Sequence, residues 1–287
     1  MEHYKIGTLE LKNRFLLAPM LEPNDIAFRL LCKEAGCGLT FSGMTNPLSE
    51  DRQFLDDKPI LQLFTSSNEG VKLFIEKYDE FVSGWDFNLG CPSKLSRRLG
   101  HGAFLQKDLD SINAILRDIR ASTKKACVVK LRKSPHTISI AKLAELIGFD
   151  AVIIHSRTIS EGYSGEPDYE FALELKRNLK IPVVYSGNVG LKNYEKILED
   201  FDFVMIGRDA IGNPNIFAEL LGKTSKILFS DYLMLAKKYG LYYRQIKFQA
   251  MNFTKGANNA KDLRRELIKA KNIIDVEKVY SLFSNKP

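Results

Sequence analysis

The amino-acid sequence predicts an α/β fold, a (β/α)8 TIM barrel carrying a small C-terminal all-helical domain. Three observations point there. Eight short apolar runs recur before residue 208, a helical pattern follows each run, and beyond about Lys226 strand signals stop while basic residues accumulate. Near-continuous apolar strands alternating with helices imply a parallel sheet covered by helices. Eight such units within about 220 residues fit a barrel whose usual size is about 250. A doubly wound open sheet is the competing arrangement, but it normally uses fewer strands and a glycine-rich first turn that is absent here. The expected domains are therefore 1–225 and 226–287.

Taken in order, the candidate strands are 15–18, 39–42, 60–64, 85–88, 126–131, 151–155, 182–186 and 203–207. After the first, Asn24 and Asp25 are suitable helix caps, Ile26, Leu30 and Leu31 mark one face, and Gly36 ends the helix. After Asp108, the residues Ile112, Ile115, Leu116 and Ile119 repeat at helical spacing. Leu143, Leu146 and Ile147 form another face, closed by Gly148. The final part reads as helices over 231–239, 242–253 and 260–271, separated by Gly240 and Gly256.

Composition narrows the class. The 287 residues are 45% hydrophobic and 27% charged, as in ordinary globular proteins. No apolar run approaches the ~18–20 residues of a membrane span, and the start lacks an apolar signal core, so a cytoplasmic protein is expected. Cys32, Cys37, Cys91 and Cys127 show no zinc-like pairing with histidine, so neither metal nor disulfides are expected. The net charge of +7 is unevenly spread: residues 226–287 carry 13 Lys and Arg against 5 Asp and Glu, whereas the preceding 225 carry 29 against 30. A basic appendage on a neutral body suits a polyanion-binding module, although surplus lysines on a solvated helix face give the same balance.

In such a barrel the active site is assembled at the C-terminal ends of the strands. Those ends read Pro19-Met20, Gly43-Met44, Gln62, Asn88 with Cys91, Lys130, His155 with Arg157, Gly187-Asn188 and Gly207-Arg208. Asn88-Leu89-Gly90-Cys91-Pro92 puts a lone thiol on a turn beside an amide, just ahead of Arg97, Arg98 and the loop Gly100-His101-Gly102. A thiol exposed at a strand end near cations is placed for proton transfer or nucleophilic attack. Taken singly, Lys130 reads equally as an ion-pair lysine, His155 as a satisfied core histidine, and Gln62 carries little. Polar or glycine residues closing apolar strands and converging on one mouth make a site, because buried polar groups must be satisfied.

The last two strand ends, Ser186-Gly187-Asn188 and Gly207-Arg208, lie where this fold often holds a phosphate on backbone amides, and Arg208 adds a charged fork. A phosphorylated ligand is implied. FMN suits these residues: a lysine near N1 and O2 would stabilise the anionic reduced ring, an amide such as Gln62 can bond the pyrimidine edge, and the cradle fits the ribityl phosphate. Cys91 would then face the flavin across a substrate ring.

With these residues in place, the chain resembles the tRNA-dihydrouridine synthase family from Ala18 to about Arg265. The resemblance rests on Ala18-Pro19-Met20 with Asp25 and Phe28-Arg29, then Gln62, then Asn88 and Gly90-Cys91-Pro92 with Gly102-Ala103. It continues through Lys130-Leu131-Arg132, His155 with Arg157-Thr158, Tyr163 with Gly165, and Met205 with Gly207-Arg208 and Asn213-Pro214. No single element is specific; the ordered set is.

The resemblance implies an FMN-dependent barrel over 1–225 and a tRNA-binding helical domain over 226–287. It implies reduction of the uracil 5,6 double bond in tRNA, with NADPH or NADH reducing the flavin. Hydride would pass from N5 to C6 of a flipped-out uridine, and Cys91 would protonate C5 from the opposite face. Pro19, Met20, Gln62, Lys130, His155, Ser186, Gly187, Asn188, Gly207 and Arg208 look like FMN contacts. Asn88, Arg157 and Tyr163 are candidates for holding the uracil. Arg97, Arg98, Arg244, Lys247, Lys255, Arg264 and Arg265 would grip tRNA phosphates, with Tyr242, Tyr243 and Phe253 as helix core. A monomer is expected.

The chain departs from the family pattern in three places. Ser42-Gly43-Met44 stands where Thr-Glu-Met is common, Leu21-Glu22-Pro23-Asn24 replaces a small-residue run ending in Thr, and the loop 132–137 is short. Three other functions compete: a flavoprotein reducing a free pyrimidine or enone, a non-catalytic RNA-binding barrel, and a thiol hydrolase using Cys91 with His101. The basic tail opposes the first, and the intact Cys91 and Lys130 oppose the second. The third lacks a group to orient the histidine, and the glycine loop makes His101 a surface residue.

Overall fold

The computed structural model describes residues 4–20, 24–257 and 259–284, so the departure at Leu21-Glu22-Pro23 lies outside the described residues. The first described element is a hairpin not among the predicted strands, β1 (Tyr4–Ile6) paired antiparallel with β2 (Leu9–Leu11). The alternating units follow: β3 (Phe15–Leu17), α1 (Ile26–Glu34), β4 (Phe41–Thr45), β5 (Ile60–Leu63), α2 (Val71–Tyr78), β6 (Gly84–Leu89), α3 (Lys94–Leu99), α4 (Leu109–Ser122), β7 (Ala126–Arg132), α5 (Thr137–Ile147), β8 (Ala151–His155), α6 (Tyr169–Arg177), β9 (Val183–Ser186), α7 (Tyr194–Asp200), β10 (Phe203–Ile206) and α8 (Ile216–Leu220). Four tail helices close the chain: α9 (Phe229–Lys238), α10 (Tyr243–Phe253), α11 (Ala260–Lys269) and α12 (Ile273–Ser284).

Strands β3 to β10 form one parallel sheet in the order β4-β5-β6-β7-β8-β9-β10-β3. Its two edges meet: Leu16 bridges Leu39, and the Leu17 N–H donates to the Leu39 carbonyl at 2.9 Å. The predicted (β/α)8 TIM barrel is what the chain forms. The second strand runs later than the expected 39–42, because its register with β5 slips between Phe41 and Met44, the local irregularity by which a strand bends at a barrel rim.

Side chains alternate across each strand. Leu16, Phe41, Ile60, Val128, Ile153, Val184 and Met205 point inward and share one apolar cluster with Ile6 and Leu11 of the hairpin. Leu17, Leu61, Phe87, Val129, Ile154 and Val204 point outward into a larger cluster beneath the helices. The α4 face buries Ile112, Ile115, Leu116 and Ile119 as its spacing predicts. The α5 face follows prediction in part: Leu143 and Ile147 pack against the core, but Leu146 is 81% exposed, and Ile140, Ala141 and Ala144 form the fully buried stripe. The small alanines let that helix sit close to the sheet, so the true stripe is less hydrophobic in composition than the predicted one.

The tail packs directly on the barrel. Phe229, Tyr232 and Ala236 of α9 share the outer core with Phe28 and Leu31 of α1. Asp25 is the junction. Its Oδ1 accepts the Phe28 N–H at 2.9 Å, capping α1, and its Oδ2 accepts the Tyr232 hydroxyl at 3.1 Å. Arg29 forms a buried two-pronged pair with Asp57, at 2.9 and 3.0 Å. Asp25 and Arg29 of the motif are therefore structural. Helix α12, which lies beyond the predicted 260–271, stacks Tyr280 on Phe229 at a centroid distance of 4.0 Å. Among the described residues no helix is long and apolar enough to cross a membrane.

Candidate active site

The upper layer of the barrel interior is polar. Strand pairing puts Gln62 beside Asp86, Asn88 beside Lys130, Arg132 beside His155, and His155 beside Ser186. Above them opens a cavity of about 620 Å³, within the usual range for small-molecule sites. Cys91, Asn88, Tyr163 and every residue expected to contact the cofactor line it except Gln62. Apolar walls come from Ala18, Met20, Met44 and Met205.

Cys91 is half-buried on the turn after β6. Its backbone N–H and that of Gly90 both donate to Asn88 Oδ1 at 3.0 Å. Its carbonyl accepts the Ala103 N–H at 3.1 Å. Gly102 has φ +61°, and a Cβ there would stand 2.8 Å from the Cys91 oxygen, so only glycine lets the second loop press on the thiol's turn. The thiol itself makes no hydrogen bond with a described residue. His101 corrects the sequence reading: it is 6% exposed, not on the surface, and packs edge-on against Phe64. Burial lowers its pKa, and no hydrogen bond joins it to Cys91, which removes the hydrolase dyad.

Gln62 is fully buried behind the wall. Its Nε2 donates to Asp86 Oδ2 at 2.6 Å and its Oε1 accepts from Asn88 Nδ2 at 2.8 Å. Burial raises the Asp86 pKa and lowers that of Lys130, each partly offset by the other's charge. Among the described residues nothing forms an ion pair or hydrogen bond with the Lys130 ammonium, which faces the cavity. A half-buried cation that no described carboxylate contacts favours an anionic ligand.

Two arginines surround His155. Arg132, absent from the expected site, is 1% exposed and lines the cavity. It donates to the carbonyls of Gly90 at 2.8 Å, Thr158 at 3.0 Å and Gly162 at 2.8 Å, tying the cysteine turn to the loop that carries Tyr163. Arg157, expected to hold the uracil, lies behind the wall instead. Its guanidinium donates to the Ser164 carbonyl at 2.9 Å and to that of Gly165. The two guanidiniums face opposite nitrogens of His155, Arg157 at 3.0 Å and Arg132 at 3.3 Å. A neutral imidazole has one acceptor nitrogen, so only one of the two guanidiniums donates to the ring in either tautomer. Burial, with Lys130, Arg132, Arg157 and Arg208 nearby, pushes the His155 pKa down to about 2, so it stays neutral. Tyr163 lies roughly parallel to the His155 ring at 6.0 Å, with the guanidiniums of Arg132 and Arg208 over it at 5.6 and 5.4 Å.

Opposite the cysteine, Gly187 has φ +128°, and a Cβ there would approach both His155 and Pro167 at 2.9 Å. Asn188, with φ +50°, accepts from Arg208 at 2.8 Å and donates to Glu166 at 2.9 Å. Arg208 brings a charged fork to this corner, and the His155 and Pro167 side chains wall it closely, an arrangement that suits a phosphate. With the apolar faces and Lys130, the cavity suits a flat, phosphorylated ring. Among the described residues no cluster of His, Cys, Asp and Glu could hold a metal.

A larger groove of about 1580 Å³ adjoins the cavity, between the β9 and β10 loops and the tail. The two share Asn188, Arg208, Asp209 and Lys255. Of the expected phosphate grips, Arg97 and Arg98 are exposed on α3 beside the cysteine turn. Arg265 is exposed but pairs with Asp262. Lys247 donates to the carbonyls of Ile268 and Ala270 at the end of α11, Arg264 to Thr254 Oγ1, and Lys255 to the Ile211 carbonyl. Tyr242, expected in the helix core, is 79% exposed because it precedes α10, whereas Tyr243 bonds the Ala270 carbonyl and Phe253 packs in the core.

A family model described as dihydrouridine synthase matches residues 16–282. The chain is 32% identical over 254 residues to tRNA-dihydrouridine synthase B of Pasteurella multocida, covering 78% of this chain and 74% of that one. It is 30% identical over 242 residues to tRNA-dihydrouridine synthase B of Escherichia coli K12, covering 75% and 74%. Among solved structures, the old yellow enzyme homologue from Zymomonas mobilis superimposes with a TM-score of 0.54 at 13% identity, covering 80% of this chain and 95% of that one. A mandelate oxidase variant gives 0.52 at 16% identity, covering 77% and 75%. These two likenesses show the barrel fold alone.

Proposed function

Because this chain belongs to the dihydrouridine synthase family, we propose that it reduces the 5,6 double bond of uridines in tRNA to dihydrouridine, with FMN as cofactor and NADPH or NADH as reductant. The observation that carries this reading is the pairing of a lone thiol, Cys91, with an unpartnered ammonium, Lys130, on the wall of one cavity. When bound and reduced, FMN supplies the hydride that uracil C6 accepts.

The chain's own residues do the rest. Lys130 would meet the anionic edge of the ring, the Gly187-Asn188 corner with Arg208 would hold the phosphate, and Met20, Met44 and Met205 would keep water from the ring. Neutral His155 adds no charge of its own to the wall and holds the two guanidiniums on either side of its ring. Cys91 holds a proton at Sγ and gives it to C5, and solvent returns one to the thiolate. Uridine, NADPH and one proton thus balance dihydrouridine and NADP⁺.

In the same reading, residues 1–225 are the catalytic part and 226–287 the RNA-binding part of a cytoplasmic monomer. The groove beside the cavity has room for a flipped-out nucleotide's neighbours. Its cations Lys192, Arg208 and Lys255 are matched by Glu166, Asp209 and Glu277, so phosphate attraction falls to exposed residues such as Arg97 and Arg98. The test is mass spectrometry of nucleosides after incubating unmodified tRNA with the protein, FMN and NADPH. A uridine two hydrogens heavier is the expected product. NADPH consumption without it points to a small-molecule reductase, and failure to bind flavin overturns the enzymatic reading.

A further inference from the structure

We propose that Asp86 is a positioning residue that sets the polarity of a buried hydrogen-bond relay ending at the Cys91 turn. The inference rests on the proposed role of Cys91. Asp86 is fully buried on β6 and points into the barrel, one inward position below Asn88. The relay runs from Asp86 Oδ2 to Gln62 Nε2, from Gln62 Oε1 to Asn88 Nδ2, and from Asn88 Oδ1 to the N–H groups of Gly90 and Cys91.

Two of its links are side-chain amides, whose oxygen and nitrogen ends have nearly the same shape and can exchange places. The ionised carboxylate, which the nearby Lys130 charge favours, has no such freedom, since it only accepts. Asp86 therefore requires the Gln62 nitrogen to face it, which sends the Gln62 oxygen toward Asn88. The Asn88 nitrogen must then face Gln62, and its oxygen is left for the turn. Were Asn88 reversed, its NH₂ would meet two backbone N–H groups and both bonds would be lost. The same orientation keeps one Asn88 N–H available to a ligand, because its nitrogen has two donors and the relay uses one.

The other Asp86 oxygen, Oδ1, accepts no hydrogen bond of normal geometry from a described residue, and the Lys130 charge offsets its burial only in part. A buried carboxylate retained with an unpartnered oxygen is costly unless it does something an apolar residue could not. Orienting two amides is such a task.

The test is amide hydrogen exchange at Gly90 and Cys91 in the flavin-loaded protein, measured together with dihydrouridine formed per bound flavin. Asp86→Leu should keep its flavin, speed exchange of both amides about tenfold and slow product formation about tenfold, as expected for one lost buried hydrogen bond. Asp86→Asn, whose oxygen can still accept from Gln62, should stay within about twofold of the wild type in both. If Asp86→Leu does not fold, Gln62→Met cuts the relay one link later and carries the same expectation. Wild-type-like exchange in whichever of these two variants folds overturns the proposal. So does an Asp86→Asn protein as impaired as Asp86→Leu, since charge rather than orientation would then be at work. Should Cys91→Ala turn over normally, the role of Cys91 falls, while the exchange measurement still decides whether the relay exists.

Discussion

At the barrel mouth Arg132 and Arg157 are almost completely buried and tied to backbone carbonyls, whereas on the tail Arg265 and Lys269 stand exposed beside Asp262 and Glu266. The two regions use charge differently. At the mouth each cation has a fixed direction, set by bonds to loops that strand pairing has already placed. On the tail, surface pairs of this kind contribute little to stability and are screened by salt. The difference separates cations whose direction the fold fixes from cations left on the surface beside carboxylates.

The sharpest way to break this contrast is at the thiol. Cys91→Ala should retain flavin and NADPH oxidation while dihydrouridine formation falls about 10²- to 10⁴-fold, the usual contribution of a positioned acid; unchanged product in nucleoside mass spectra removes Cys91 from the mechanism.

Next is Lys130. Lys130→Met should weaken FMN binding about 10- to 100-fold, the range for a lost charged hydrogen bond, as read by flavin fluorescence titration. Burial lowers the Lys130 pKa below the ordinary 10.5, so its positive charge is present at low pH and lost as pH rises through the lowered value. Flavin affinity should therefore decline at a pH where an ordinary lysine is still charged, and Lys130→Arg should flatten that decline.

A smaller effect tests whether tail and barrel are one cooperative unit. Tyr232→Phe removes the hydroxyl bonded to buried Asp25 and should cost about 1–3 kcal/mol in denaturant unfolding, with one transition for both regions. Two separate transitions would show independent domains. Truncation at residue 226 would strip α9 from the shared core and is a poor probe of RNA binding.

The smallest expected effects are electrostatic. Arg97→Ala and Arg98→Ala should each lower the slope of tRNA affinity against salt by about one phosphate contact. Lys247→Ala should leave that slope unchanged, because its ammonium already holds the end of α11. Equal slopes for all three variants would erase the distinction between structural and binding cations.

Much of the site was legible because strand periodicity and strand ends are local properties. Asn88, Lys130 and His155 sit where an inward position meets the top of a strand, and that much follows from alternation. Arg132 obeys the same rule two residues beyond Lys130 and was open to the same inference. Arg157 was misplaced because it lies past the end of β8, where a loop turning back on itself sends the side chain behind the wall. The glycine neighbours of His101 predict a surface residue, but Phe64, just past the end of β5, covers it. In the tail, α12 lies past the last predicted helix and is stabilised by contacts such as Tyr280 on Phe229.

By itself the sequence determined the barrel, the cysteine turn, the two glycine corners and the basic tail, because each depends on the spacing of residues along one strand, helix or turn. Only the tertiary structure decided which polar groups face the cavity and which face one another. Gln62, Asp86 and Asn88 become a directed relay through the pairing of β5 with β6, and Arg132 and Arg157 divide their roles through the fold of one loop. Hydrogen-bond direction depends on partners distant in sequence, so no local pattern encodes it.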